Sequence, residues 1–318
     1  MFFQEDQVLL KPIRASGAAA PMPIHHISDL QDPRVALFRG VTDPELMRTH
    51  GLFVAEGRLV VKRLLESRRF STVAVLLTET ALPALREAID AKIEARNAVD
   101  VFDTFDLTEV FVTAPGSMEL VGGFNFHRGC VALGKRPVPP PTPADLALDA
   151  PGPRLVLGLQ SLANADNVGS IFRNAAAFGV HAVVLDARSC DPLYRKATRT
   201  SMGATLTVPY AMADAGAGGD DRGWHASLDT LRRAGYVIVA LTPAADAIDI
   251  ADAANARELT GRRLALLVGS EGAGLDDETL ARADFRVAIR MAPGVDSLNV
   301  ATATGIALHR LAPLARLA

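Results

Sequence analysis

From Pro153 to its end, the chain alternates apolar strand segments with helical ones, and no other feature restricts its fold so tightly. The strand segments are RLVLGLQ, HAVVLD, TLTVPYA, YVIVALTP, LALLVGSE and FRVAIRM. Helical segments separate them: one opening near Asn164, a basic one around YRKATRTSMGA, one near HASLDTLRRAG, a short one after LALLVGSE, and a last one from Ser297. A strand that is apolar on both faces must be covered on both, and helical crossovers between successive strands supply that cover. The expectation is an α/β domain built on a parallel sheet. Ligands of such sheets bind outside the carboxyl ends of the strands, so polar residues just after the strands are where chemistry is expected.

The stretch KRPVPPPTPADLALDAPGP, residues 135–153, holds seven prolines. Proline fixes φ and favours extended geometry, so this stretch reads as a semi-rigid spacer. The organisation is then a loose tail over residues 1–23, a first domain over 24–134, a linker over 135–152 and a second domain over 153–318. In the first domain, Asp43 followed by Pro44 marks a helix start. LFVAEGRLVVKRLLES reads as a short strand leading into a helix, and FSTVAVLLT and RGCVALG read as strands, which makes a smaller α/β unit.

No apolar run approaches the roughly 20 residues of a membrane span. The first twenty residues carry acids where a signal peptide needs basic residues, so a cytoplasmic protein without membrane contact is expected. Cys130 and Cys190 stand in neither CxxC nor Cys/His spacing, which offers no disulfide framework and no metal site. The net charge of −3 is unfavourable for nucleic-acid binding as a global property. Two local clusters run against it: Arg58, Lys62, Arg63, Arg68 and Arg69, then Arg188, Arg195, Lys196 and Arg199. Either could be a phosphate-binding patch or a solvated face.

The dinucleotide fingerprint G-x-G-x-x-G is missing after the first strand of the second domain, so nicotinamide and flavin readings lose their main support. Three polar segments follow strands instead: NADNVGSIFRNA (164–175), LVGSEGAGL (267–275) and IRMAPGVDSLNVATA (289–303). In the first, Asn164, Asp166 or Asn167 can cap the helix, and Gly169 lets its first turn approach another backbone or a ligand. Arg173 lies six residues after Asn167, just under two turns, and is either half of a structural ion pair or a functional group. The second segment combines glycines that expose backbone groups with a lone acid, Glu271, which could cap a helix or orient a polar partner. In the third, Ser297 is placed to cap the last helix, with Asn299 in its first turn and the small residues Ala301 to Gly305 after it.

Together the three segments resemble the SpoU family of SPOUT methyltransferases, also called the TrmH family: RNA ribose 2'-O-methyltransferases that use S-adenosylmethionine. Its pattern N-x-G-x-x-x-R-x-A is met by Asn167, Gly169, Arg173 and Ala175. G-S-E-G-x-G-L is met by Gly269 through Leu275, and I-x-M followed by S-L-N-V by Ile289, Met291 and Ser297 through Val300. The resemblance is strong over residues 153–318 and weaker over 24–134, where HHISDLQDPRV and LFVAEGRLVV look like an RNA-binding domain related to ribosomal protein L30e.

The resemblance implies a carboxyl-terminal trefoil knot, an exception to the rule that chains are unknotted. It further implies a homodimer acting on tRNA or ribosomal RNA. Backbone groups at Gly269, Ile289, Met291 and Leu298 would hold the cofactor, with Leu241 and Thr242 beside its adenosine. Arg173 would grip the phosphate next to the target ribose, while Asn167, Glu271, Ser297 and Asn299 orient the ribose and Arg173. Arg58, Lys62, Arg63, Arg195, Lys196 and Arg199 would contact RNA. Two rivals remain open on the sequence: a base-methylating enzyme of the same superfamily, and a non-catalytic RNA-binding protein that keeps the fold.

Overall fold

The computed structural model describes residues 24–39, 42–97, 109–115, 129–146, 148–149, 151–152, 154–214, 221–253, 258–295 and 297–313. The expected tail, residues 1–23, and most of the glycine-rich run 216–223 lie outside these.

The first half folds as β1 (Ile24–Ile27), α1 (Asp43–His50), β2 (Leu52–Glu56), α2 (Arg58–Leu65), β3 (Ser71–Thr78), α3 (Leu82–Asn97), β4 (Glu109–Thr113) and β5 (Cys130–Lys135). Its five strands pair in the order β1-β4-β3-β5-β2. β1, β4 and β3 run parallel, while β5 is antiparallel to both β3 and β2. Pro44 lies in the first turn of α1, as expected, and Gly51 ends that helix in the left-handed conformation (φ 63°).

The second half folds as β6 (Leu155–Gln160), α4 (Ala165–Ala177), β7 (Ala182–Leu185), α5 (Arg195–Thr200), β8 (Tyr210–Met212), α6 (Arg222–Arg233), β9 (Tyr236–Leu241), β10 (Ile248–Asp249), α7 (Ile250–Ala253), β11 (Arg263–Gly269), α8 (Asp277–Ala281), β12 (Phe285–Ala288) and α9 (Val300–Leu311). The seven strands pair in the order β10-β12-β9-β11-β6-β7-β8, every pair parallel. β6 and β7 are buried along their whole length, as the apolar runs require.

Three boundaries differ from those expected of the sequence. TLTVPYA is mostly not strand: Ala204–Leu206 makes a 3-10 turn and pairing begins only after Pro209, whose nitrogen has no proton to donate. FRVAIRM leaves the sheet after Ala288. The last helix starts at Val300 rather than Ser297, because Asn299 caps it.

Two joints fix the site's surroundings. The proline-rich stretch does not bridge open space: Leu146 and Leu148 are buried against Val156, Val184 and Trp224 of the second half. The other joint is α5, which wedges between the two halves. Arg195 Nε lies 2.8 Å from Glu56 Oε2, Thr198 Oγ1 donates to Val54 O, and Arg63 Nη1 donates to Met202 O at 2.9 Å. In a parallel sheet all carboxyl ends share one edge, so the chain leaving β12, β9, β11 and β6, which are successive neighbours, emerges at one place.

Candidate active site

Each polar segment reaches that edge by its own local rule. After β6, Asn164 accepts a hydrogen bond from the Asp166 N–H at 2.9 Å and starts α4. Asn164 is thus the cap among the three residues the sequence left open. Asn167 follows in the first turn and is buried. A Cβ on Gly169 would stand 2.6 Å from Ala197 O, so only glycine lets α4 lie this close to α5.

After β11 the chain doubles back on itself. Gly274 N–H donates to Ser270 O at 3.1 Å, and a Cβ on Gly269 would fall 2.1 Å from the Gly274 carbonyl carbon. This tight turn projects Glu271 outward. At its base, buried Gln160 grips Asp276: the Gln160 amide Nε2 donates to Asp276 Oδ2 at 2.6 Å, and Asp276 N–H donates to Gln160 Oε1 at 3.2 Å. Partial burial pushes the Asp276 carboxyl up, but hydrogen bonds from Thr279 and Gln160 outweigh it and hold the group below the usual carboxylate range.

After β12, Asn299 Oδ1 accepts from Ala301 N–H (3.0 Å) and Thr302 N–H (3.2 Å), capping α9. That leaves its amide nitrogen facing the other two segments. Asn299 Nδ2 donates to Asn167 Oδ1 at 2.9 Å and to Glu271 Oε1 at 2.9 Å. One side chain therefore ties together three turns that are 28 and 132 residues apart in sequence. Asn174 extends the seam, donating through Nδ2 to Ala301 O at 2.8 Å, with Gly305 directly beneath it.

Arg173 stands apart from this junction. Six residues along a helix is about 120° away from a full turn's alignment. Asn167 thus turns inward while Arg173 is exposed, with no ion pair or hydrogen bond among the described residues. The structural ion pair that the sequence allowed for Arg173 is not formed among them. Ser297 is exposed and does not cap, Asn299 having taken that role.

Of the residues expected around a cofactor, Leu241, Thr242, Gly269, Ile289 and Met291 are half-buried at the ends of β9, β11 and β12, and Leu298 is 37% exposed. Thr242 N–H is fixed by Val287 O at 2.9 Å. The six expected RNA contacts divide. Arg63 and Arg195 turn inward to Met202 O and Glu56. Arg58, Lys62, Lys196 and Arg199 are exposed, with Lys196 bound to Asp166 at 2.7 Å and Lys62 to Glu66 at 3.7 Å. Among the described residues no group of three or more His, Cys, Asp or Glu could hold a metal ion, and no helix is long and apolar enough to cross a membrane.

The model of the SpoU rRNA methylase family matches residues 154–309. A protein of Mycobacterium tuberculosis, named as an uncharacterized tRNA/rRNA methyltransferase, is 38% identical over 295 residues, covering 91% of this chain and 91% of that relative. The chain belongs to the SpoU methylase family. Solved structures share the fold of this SpoU methylase along nearly its whole length. An AdoMet-bound rRNA methyltransferase of Sinorhizobium meliloti superposes with TM-score 0.69 at 22% identity, covering 91% of this chain and 97% of that one. An RNA 2'-O ribose methyltransferase superposes with TM-score 0.66 at 21% identity, covering 90% and 97%.

Three residues of the SpoU site escape a reading of the sequence: Gln160, Asp276 and Asn174. Gln160 is the single polar residue ending an otherwise apolar strand, and Asp276 precedes a helical acid run in capping position. The signal of Gln160 lies at the strand end itself, one residue before the loop where polar side chains are ordinarily sought, and that of Asp276 lies at the helix cap beyond the turn.

Proposed function

We propose that this SpoU methyltransferase transfers a methyl group from S-adenosylmethionine to a ribose 2'-hydroxyl of tRNA or ribosomal RNA. The observation that carries the reading is the junction at Asn299, which holds Asn167 and Glu271 together at the carboxyl edge of the sheet, with exposed Arg173 farther along the helix that carries Asn167. Backbone edges at Gly269 and the turn after it, flanked by half-buried Leu241 and Ile289 and uncovered Leu298, fit a ligand with an apolar ring face and polar rims. Leu241, Thr242, Gly269, Ile289, Met291 and Leu298 would hold the cofactor. When bound, its sulfonium supplies an already electrophilic methyl carbon.

What remains for the protein is alignment and charge. Orienting two reactants can contribute about 7–11 kcal/mol of barrier reduction. Arg173 keeps its proton, since a guanidinium is not deprotonated in proteins, and it grips the phosphate beside the target ribose. Asn167, Glu271, Ser297 and Asn299 orient the ribose, and the hydroxyl proton leaves to that phosphate or to water. RNA approaches across the first half and α5, meeting Arg58, Lys62, Lys196 and Arg199. The first half, residues 24–134, serves as the L30e-like substrate-binding domain, and the carboxyl-terminal segment is threaded as a trefoil knot.

We further propose that the active unit is a homodimer seated on the groove between α4 and α9. Ser170, Asn174, Phe178, Ile306 and His309 line a cavity of about 650 Å³ there. It adjoins Asn299, so a second copy would complete the site.

Incubation with labelled S-adenosylmethionine and unmodified total RNA tests the chemistry. A ribose product survives alkaline hydrolysis as a labelled dinucleotide; label in mononucleotides would replace this reading with base methylation. Loss of any cofactor binding in calorimetry would leave an RNA-binding protein. Sedimentation at micromolar concentration tests the dimer, and a fully active monomer would refute it.

A further inference from the structure

We propose that Gln160 is a positioning residue for the Ser270–Leu275 turn, acting through Asp276 on both cofactor binding and Glu271. This rests on the reading of that turn as part of the cofactor site.

The geometry is specific. Gln160 ends β6 and is the register partner of Gly269, the last residue of β11, so the turn leaves the sheet directly beside Gln160. It also returns there, because Asp276 is held by both heteroatoms of the Gln160 amide, at 2.6 and 3.2 Å. Gln160 is 3% exposed and presents its amide from the buried side, while the Asp276 carboxylate is 38% exposed, so the bonds are shielded from below and open to solvent from above. Asp276 is locked from its far side as well. Its Oδ1 accepts from Thr279 N–H at 2.6 Å, and Thr279 Oγ1 accepts from the indole Nε1 of Trp224 at 2.9 Å.

Within the turn, the Gly274 N–H bond to Ser270 O closes the loop and Leu275 is buried, but among the described residues the exposed tip has no anchor besides Glu271. Gly272 and Gly274 adopt positive φ, and Glu271, Gly272 and Ala273 are exposed. A glycine-rich segment of this kind keeps one shape only when its ends are fixed. Glu271 can meet Asn299 at 2.9 Å because the turn's base cannot drift. Gln160 lies buried beneath the turn and acts by setting where the exposed groups above it stand.

The test compares the wild type with Gln160→Leu, Gln160→Glu and the double variant Gln160→Glu/Asp276→Asn. The single Gln160→Glu change sets two carboxylates against each other, whereas in the double variant the introduced amide donates to the introduced carboxylate and restores both bonds. Amide hydrogen exchange over residues 270–276 in the cofactor-free protein, and calorimetric affinity for S-adenosylmethionine, are the readouts. Both single variants should exchange faster in this segment alone and bind the cofactor about tenfold more weakly, the scale of a lost hydrogen bond to a charged group. The double variant should return to within about threefold of wild type.

Unchanged exchange and affinity in both single variants, or a double variant no better than Gln160→Glu, would overturn the proposal. A wild type that does not bind the cofactor would refute the cofactor reading instead, and the exchange rates would still decide the clamp. Should Gln160→Leu fail to fold, comparison of Gln160→Glu with the double variant decides between clamp and no clamp.

Discussion

The two sheets use their polar residues in opposite ways. The seven-stranded sheet gathers Asn167, Glu271 and Asn299 at one edge, bonds them to each other and leaves Arg173 open. The five-stranded sheet sends Glu56 and, from the helix and turn that follow, Arg63 and Arg69 toward the other half, where they meet Arg195, Met202 O and Val208 O. Glu56, Arg63 and Arg69 of the first half are matched across the joint, while α4 of the second half carries an exposed cation with no partner among the described residues. An exposed cation without a partner is free to meet an anionic group, whereas one held by a buried acceptor is spent on docking.

The largest expected effect tests that division at its sharpest point. Arg173→Ala should keep cofactor affinity and lose methyl transfer by at least about 100-fold, the usual scale for a positioned catalytic group. Near-normal turnover would move the chemistry elsewhere. Glu56→Ala comes next and should do the reverse. It removes a buried carboxylate that pairs with Arg195, whose side chain is 14% exposed, and should lower stability by about 2–3 kcal/mol in denaturant titration. Arg199, half-exposed and 3.8 Å from Glu56, can turn to water and tempers the loss. Turnover per folded molecule should change little. A large fall in turnover with stability intact would mean that the joint belongs to the site.

The same division explains what could be read from the chain alone. The parallel sheet was legible because most of its strands are apolar runs, the two-residue β10 at its edge excepted, and the three polar segments because they break that pattern at strand ends. The first half was less legible. β1 is IHHI, a short strand with a polar middle, and β4 is EVFVT, a short strand with polar ends, and neither stands out from its surroundings. The basic clusters divided, with Arg63 and Arg195 turned inward, for a physical reason. A run of Arg and Lys looks alike whether it faces solvent or a buried carboxylate, and Glu56, 139 residues before Arg195, offers no local sign that it is the partner. Capping was misjudged within one motif, since Ser297 and Asn299 are both good caps and only the fold shows where α9 begins.

Asn299 caps α9 and, on the proposed function, also orients the site, so its replacement should have an intermediate effect. Asn299→Ala removes the cap of α9 and should lower stability by about 1 kcal/mol. It also releases Asn167 and Glu271, so turnover should fall about tenfold. Asn299→Asp separates the two roles: the carboxylate still caps α9 but cannot donate to Asn167 or Glu271. Stability should be retained and turnover lost. Equal activity in Asn299→Asp and wild type would make the junction purely structural.

The smallest effect is expected where the two sides of the comparison touch, at Asp166 on α4, which accepts from Lys196 Nζ at 2.7 Å and Thr200 Oγ1 at 3.0 Å. The hydrogen bond from Lys196, assisted by Thr200 and the charges of Lys196 and Arg199 against a small desolvation, holds its carboxyl below the ordinary value of 3.8. A depressed carboxyl contributes stability that is complete above the unfolded-state value and lost as pH falls through the lower, folded one. Stability should therefore not vary with pH through this group between about pH 6 and 8, and its share should disappear only under acid. The pair is about half exposed, so solvent screens it, and Asp166→Asn should cost no more than about 0.5 kcal/mol at neutral pH. A slope near neutrality in Asp166→Asn that differs from wild type would show a stronger coupling. In that case α5 would be a working part of the site, and the line drawn between the docking half and the catalytic half would have to move to its far side.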